Sequence, residues 1–248
     1  MKKIAVLLTL CLFVVMVTNA LPEEDKINIQ MSWAFMNRFQ AGSQQLGFPE
    51  GNVLQVGCII KQAGSLIKEV TVKNLDTGLV LTAPPVNVGK IWSGLYELNP
   101  LPPFDPTKHM GVWEIRVKDE KGNEATAKTH KLDMKGEMPY LEGLKASGNS
   151  LAPMISWSAP NEKDIPQGAG VRYRVRLLKD MNNQFYKSKI ITDTTHQIPE
   201  GTIKSEDLSK IYVRVECQGW DKNDKEHPLP LDLQSQTFMT LKEALGKQ

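Results

Sequence analysis

Two stretches about a hundred residues apart carry the same rhythm. At 211, 213, 215 and 217 the chain is apolar, and Tyr212, Arg214, Glu216 and Gln218 between them are polar or amphipathic. Over residues 111–119, Trp113, Ile115 and Val117 alternate with Glu114, Arg116 and Lys118. A strict period of two predicts a strand with one buried face and one wet face. Each stretch runs into a polar turn, at 221–224 and 119–123. Two similar strand-and-turn units predict two similar domains.

The same reading extends along the chain. Ile27, Ile29, Met31, Trp33 and Phe35 alternate and predict an opening strand. Residues 40–52 are polar and glycine-bearing and predict a loop. Leu54, Val56, Cys58 and Ile60 predict the next strand, then Val70 and Val72, then a short edge strand at 79–82. Prolines 100, 102, 103 and 106 delete backbone donors, so 99–106 predicts a loop or an edge. Residues 112–118 and 124–132 complete the first unit, expected over 27–134, and 135–139 is the expected linker. The second unit, expected over 140–241, begins with a strand carrying Ile155 and Trp157 inward. It continues through 171–177, 185–191, 195–198, 208–217 and 235–241. Residues 242–248 form a tail. Many short strands at turn-punctuated spacing, with almost no helical period, predict an all-β chain of two tandem sandwiches.

The run Gly111, Trp113, Ile115, Val117, Asp119, Gly122, Asn123 resembles the penultimate strand and closing hairpin of bacterial immunoglobulin-like domains. The second unit resembles a fibronectin type III domain. Ile155, Trp157, Pro160, Tyr173, Val175, Val213, Val215 and Cys217 carry that likeness. It departs at Ile211, where that family has a tyrosine tying down a corner of the sandwich. Tyr212 is one residue off and so faces the other way. The resemblance implies tandem immunoglobulin-like sandwiches and an interaction role.

The N-terminus sets the compartment. Lys2 and Lys3 precede an apolar run from Ile4 to Val17, and Thr18 and Ala20 offer a small-residue cleavage site. This predicts a signal peptide over 1–20, cleaved near Ala20, and an exported protein, periplasmic or extracellular. The run is shorter than the about 20 residues of a membrane span, so no span is expected. Removing residues 1–20 leaves 28 basic against 28 acidic residues, which argues against a nucleic-acid partner. Cys58 and Cys217, at apolar positions of different strands, predict two buried free thiols. The absence of an Asn-x-Ser/Thr sequon after residue 20 fits a bacterial protein.

No nucleophile elbow, zinc motif, phosphate-binding glycine loop or paired-cysteine motif occurs, so no catalytic residue, metal or cofactor is expected and the chain reads as a non-enzyme. His109, His130, His196 and His227 are scattered. The acidic turns at 119–124 and 221–224 are weighed as calcium sites against ordinary hairpin turns. The sharpest feature is a row of arginines. Four of the six in the chain, Arg172, Arg174, Arg176 and Arg214, fall on outward positions of two strands expected to be neighbours, beside Tyr212 and Trp220. Guanidinium suits carboxylate, sulfate and phosphate and stacks on aromatic rings. This predicts a face for a protein or an anionic polysaccharide at the cell envelope. The plain alternative is a solvated sheet face partly neutralised by Glu216. Trp92 and Trp220 are the indoles left open for stacking on sugar, which makes a carbohydrate-binding accessory the second reading. A periplasmic chaperone-like role is the third, although residues 124–132 are too polar for a donated strand. The proline-rich loop with Phe104 is a further candidate contact.

Overall fold

The computed structural model describes residues 26–62, 65–83, 93–204, 208–222 and 231–246. The expected signal peptide and Trp92 lie outside the described residues. The fold is all-β, and among the described residues fourteen strands form three sheets. The largest has seven strands in the order β11-β10-β13-β14-β1-β2-β5, and the others run β12-β9-β8 and β4-β3-β6-β7. Their bounds are β1 Ile27–Phe39, β2 Gly51–Gln62, β3 Ile67–Asn74, β4 Val80–Ala83, β5 Ser93–Glu97, β6 Gly111–Asp119 and β7 Glu124–Leu132. They continue with β8 Lys145–Asn149, β9 Ala152–Ser156, β10 Ala169–Leu178, β11 Gln184–Lys187, β12 Thr195–Gln197, β13 Tyr212–Asp221 and β14 Leu233–Thr240.

The topology repeats itself. Adding seven to β4-β3-β6-β7 gives β11-β10-β13-β14, and adding seven to β1-β2-β5 gives β8-β9-β12. Each repeat closes one sandwich over one core. The N-terminal core gathers Leu54, Val56, Cys58 and Ile60 against Val70, Val72, Trp113, Ile115 and Val117. The C-terminal core gathers Ala146, Ile155 and Trp157 against Tyr173, Val175, Val213, Val215 and Cys217. Both thiols are free, and burial pushes each up to about 12. Ile211 is buried in the C-terminal core while Tyr212 faces away from it, as the offset required.

The repeats are joined edge to edge. The last four residues of β1, Met36 to Phe39, pair in parallel with Leu233 to Gln236 of β14. One sheet of each sandwich therefore belongs to the same seven-stranded sheet. Around this seam Arg38 lies 3.2 Å from Glu137 and 4.4 Å over the Tyr140 ring. Ser235 donates to Pro139 O at 2.6 Å, and Thr237 accepts from the Leu141 backbone N–H. Buried His130 and Asp232 meet at 3.1 Å across the two sandwiches. Phe104, from the proline-rich segment, packs against both cores, so it is a packing residue.

The opening strand differs from its expected alternation. Ile27 and Ile29 pack on the N-terminal core, but the register with β2 shifts between Ile29 and Met31. One inserted residue reverses the faces, because side chains alternate with period two. Ala34 and Met36 then point to the cores, and Trp33, Phe35, Asn37 and Phe39 turn to the other face of the seven-stranded sheet. β8 was not foreseen. Its sequence, Lys-Ala-Ser-Gly-Asn, buries only Ala146 and so carries no apolar period.

Candidate functional site: the outer face of the shared sheet

The arginines come together as expected. In the register of β10 with β13, Arg172 faces Gln218, Arg174 faces Glu216 and Arg176 faces Arg214. The side chains on the opposite face, Tyr173, Val175, Leu177, Val213 and Val215, fill the C-terminal core. Alternation thus places all four guanidiniums on the outer face. β14 continues the rows with Gln234, Gln236 and Phe238, and Lys187 of β11 stands opposite Arg176.

The face is not the solvated ridge that outward strand positions imply. Arg214 is 7% exposed, Glu216 1% and Gln218 3%, while Arg172, Arg174 and Arg176 are half-buried. Glu216 is the hub. Its Oε1 accepts from Arg214 Nη2 at 2.6 Å and lies 2.5 Å from Arg176 Nε, an ion pair whose N–H is not aimed at the oxygen. Its Oε2 accepts from Gln218 Nε2 at 3.0 Å, and Gln218 Oε1 accepts from Arg172 Nε at 3.2 Å. Burial pushes the Glu216 carboxyl up, but Arg176, Arg214 and Arg174 together hold it down at about 2. Burial draws Arg214 down to about 10 against the pull of Glu216. Burial also lowers Arg172, and neighbouring Arg174 lowers it further.

Arg174 differs from the other three. Burial lowers it, Glu216 raises it and Arg176 lowers it again, yet it makes no hydrogen bond among the described residues and its buried Nε has no partner. Arg176 and Arg214 are committed to Glu216.

A second polar group, with no signal in the residue pattern, occupies the N-terminal half of the same face. Asn37 Nδ2 donates to Gln55 Oε1 at 2.7 Å, and Gln55 donates to Glu97. The Trp33 indole also bonds Glu97. Burial raises the Glu97 carboxyl, opposed by those hydrogen bonds and by Arg214 and Arg176. These groups come from β1, β2 and β5, far apart in sequence, and only the seam brings them beside the arginines.

Tyr212 lies on this face and packs against Phe39, Leu178 and Phe238, with Phe48 from the 40–50 segment. Arg214 sits 5.2 Å from the Phe48 ring and 6.0 Å from the Phe238 ring. Tyr212 is therefore support for Arg214. Trp220 covers Gly170 on the neighbouring strand, where a Cβ would fall 2.5 Å from the indole. Beside it a shallow cleft is lined by Arg172, Thr192, Asp193 and Ile191. Trp33 covers Gly57 in the same way.

The first sandwich supplies an internal comparison. On its equivalent outer face Glu69 faces Lys118, Thr71 faces Arg116 and Lys73 faces Glu114, and Lys118 also pairs with Glu124 at 3.2 Å. There four cations, Lys73, Arg116, Lys118 and Lys128 of β7, meet three carboxylates, Glu69, Glu114 and Glu124. On the C-terminal face Arg172, Arg174, Arg176, Arg214 and Lys187 surround Glu216, with Glu97 acting on Arg176 and Arg214 from the N-terminal half. A cation excess of that size is thus not a demand of the fold.

Among the described residues no cluster of metal-ligating side chains occurs. Asp119 instead braces its own turn, accepting from the Asn123 N–H at 2.8 Å and Asn123 Nδ2 at 2.9 Å. Residues 223–224 of the other acidic turn lie outside the described residues. Among the described residues no helix is long and apolar enough to cross a membrane.

No known family's pattern matches the chain. No curated protein matches it either. Solved structures similar to it include the chicken interferon gamma receptor alpha chain, at 12% identity over 86% of this chain and 98% of that one, with a TM-score of 0.24. A Dpr11 IG1 complex with DIP-gamma IG+IG2 follows at 9% identity over 83% and 96%, TM-score 0.21. Murine CEACAM1b is similar at 11% identity over 85% and 98%, TM-score 0.21.

Proposed function

We propose that the chain is a non-enzymatic, exported interaction protein of the bacterial cell envelope. In this reading it is built from two immunoglobulin-like sandwiches, at 27–134 and 140–241, the second of fibronectin type III kind. It binds an acidic partner through the outer face of the shared sheet. The observation that carries this is the charge contrast between equivalent faces. The first sandwich sets four cations against three carboxylates, whereas the second gathers five around Glu216, with Glu97 alongside, and leaves Arg174 without a hydrogen bond among the described residues. Holding like charges together in a half-buried site costs stability unless an anion completes it. Arg176 and Arg214 form the structural base with Glu216, and Arg172, Arg174 and Lys187 face the partner. The test is capture from envelope and medium fractions by the mature chain and by Arg172→Gln/Arg174→Gln. A partner retained by the first only, and released by salt, supports the reading; equal capture refutes it.

A second reading is favoured by one observation. Trp220, Arg172, Thr192 and Asp193 line one shallow cleft, a combination of indole and hydrogen-bonding groups that suits a sugar. Glycan binding lost on Trp220→Ala but kept in Arg174→Gln would favour a carbohydrate-binding accessory instead.

A further inference from the structure

The free edge of the seven-stranded sheet lies beside the arginines. Among the described residues β11 is the outermost strand, paired on one side only, through Arg176 with Lys187, Leu177 with Tyr186 and Leu178 with Gln184. The register shifts at this point, which leaves Phe185 in a bulge and 38% exposed, and Ile190 just beyond is exposed too. An edge strand carries a row of backbone donors and acceptors ready to take another strand.

We infer that the partner's contact segment is an extended acidic peptide that adds to the outer edge of β11 as an eighth strand. The inference rests on the proposed acidic partner and names its chemistry. Strands lie about 4.8 Å apart and same-face side chains recur about every 6.8 Å. β11 itself lies opposite only Arg176 to Leu178, but the chain keeps to β10 through the Ser188 N–H to Val175 O bond and the bridge of Tyr173 with Ile191. Glutamates or aspartates at alternate positions of a strand following residues 184–191 thus run parallel to Arg172, Arg174 and Arg176. Arg176 Nη1 already extends over β11, donating to Gln184 Oε1 at 2.6 Å. Lys187 and Lys189, both exposed, add cations at this edge. The peptide's intervening side chains turn to the other face, where Tyr186 and Phe185 call for apolar residues. Main-chain bonds to the edge supply affinity, and the alternating pattern supplies specificity. A second copy of this chain is disfavoured as occupant, because antiparallel self-pairing of β11 brings lysine toward lysine.

The test uses the mature chain and fluorescein-labelled peptides followed by anisotropy. One peptide alternates glutamate with valine. One has the same composition with its glutamates contiguous, and one is the alternating peptide N-methylated along the bonding edge. An alginate arm supplies carboxylates without a peptide backbone. The expected result is binding of the alternating peptide, weakened about tenfold or more by N-methylation, by contiguity and by Arg174→Gln. Equal binding of all three peptides, lost in Arg174→Gln, overturns strand addition while the acidic face stands. Binding of alginate alone overturns the peptide and keeps the anionic face. Binding of no probe, with equal capture from native fractions by wild type and Arg172→Gln/Arg174→Gln, overturns both.

Discussion

Arg214 Nη2 lies 2.6 Å from Glu216 Oε1, two residues away on the same face of β13, with both side chains buried. The pair holds a cationic row in place on a sheet whose other face is a hydrophobic core. Its charge is incomplete on its own, because Arg176 leans on the same oxygen. Removing the carboxylate therefore does more harm than removing one arginine. Glu216→Gln is expected to destabilise the chain by about 3–5 kcal/mol, since it strands the buried Arg214 guanidinium and the half-buried one of Arg176. Urea denaturation followed by circular dichroism measures this.

The same group sets a pH dependence. Glu216 is held at about 2, below its ordinary 4.5. A depressed carboxyl contributes stability above the unfolded value and loses it as pH falls toward the folded one. Wild-type stability is expected to fall between pH 4.5 and about 2, and the Glu216→Gln chain to lose this component. Glu97 has the opposite sign. Its raised carboxyl favours the folded state below the unfolded value and loses that advantage as pH rises through the folded one. Glu97→Gln is thus expected to be neutral or mildly stabilising at pH 7, read by the same denaturation midpoints.

Much of this fold was written in the chain as period-two alternation. β2, β6, β10 and β13 bury the residues their alternation marked, and Arg172, Arg174, Arg176 and Arg214 share the face expected of them. The join between sandwiches was not legible. Ala34 to Asn37 and Phe39 are buried whichever face they turn to, so alternation stops where β1 meets β14. The bulge after Ile29 also reverses Trp33 and Phe35 without any glycine or proline to announce it. Asn37, Gln55 and Glu97 escaped notice for the same reason: they meet only through a non-local pairing.

Gly170 makes room for an indole. A Cβ there falls 2.5 Å from Trp220 Cε2, well inside contact distance. Gly170→Ala is expected to displace Trp220, shift its fluorescence to the red and cost about 1–3 kcal/mol. An unchanged emission maximum would show that the ring does not rest on Gly170.

The seam makes the two sandwiches one cooperative unit. Met36 N–H donates to Asp232 O at 3.0 Å, and the Asp232 carboxylate meets both His130 and the Asp221 N–H. Asp232→Ala is expected to cost about 1–3 kcal/mol by removing the carboxylate's contacts with His130 and the Asp221 N–H. It should also split a single thermal transition into two, as calorimetry would show. One transition in the variant would mean that the sandwiches couple elsewhere.

Paired charge removal on the two equivalent faces tests the binding account most directly. Arg172→Gln/Arg174→Gln removes two cations from the face with the larger excess, and Lys73→Gln/Arg116→Gln removes two from the equivalent face of the first sandwich. Both variants and the wild type are immobilised, confirmed folded by melting, and presented with the same envelope and medium fractions. The account predicts that the first variant loses the captured partner and the second keeps it. Loss in both variants, or in neither, would contradict it.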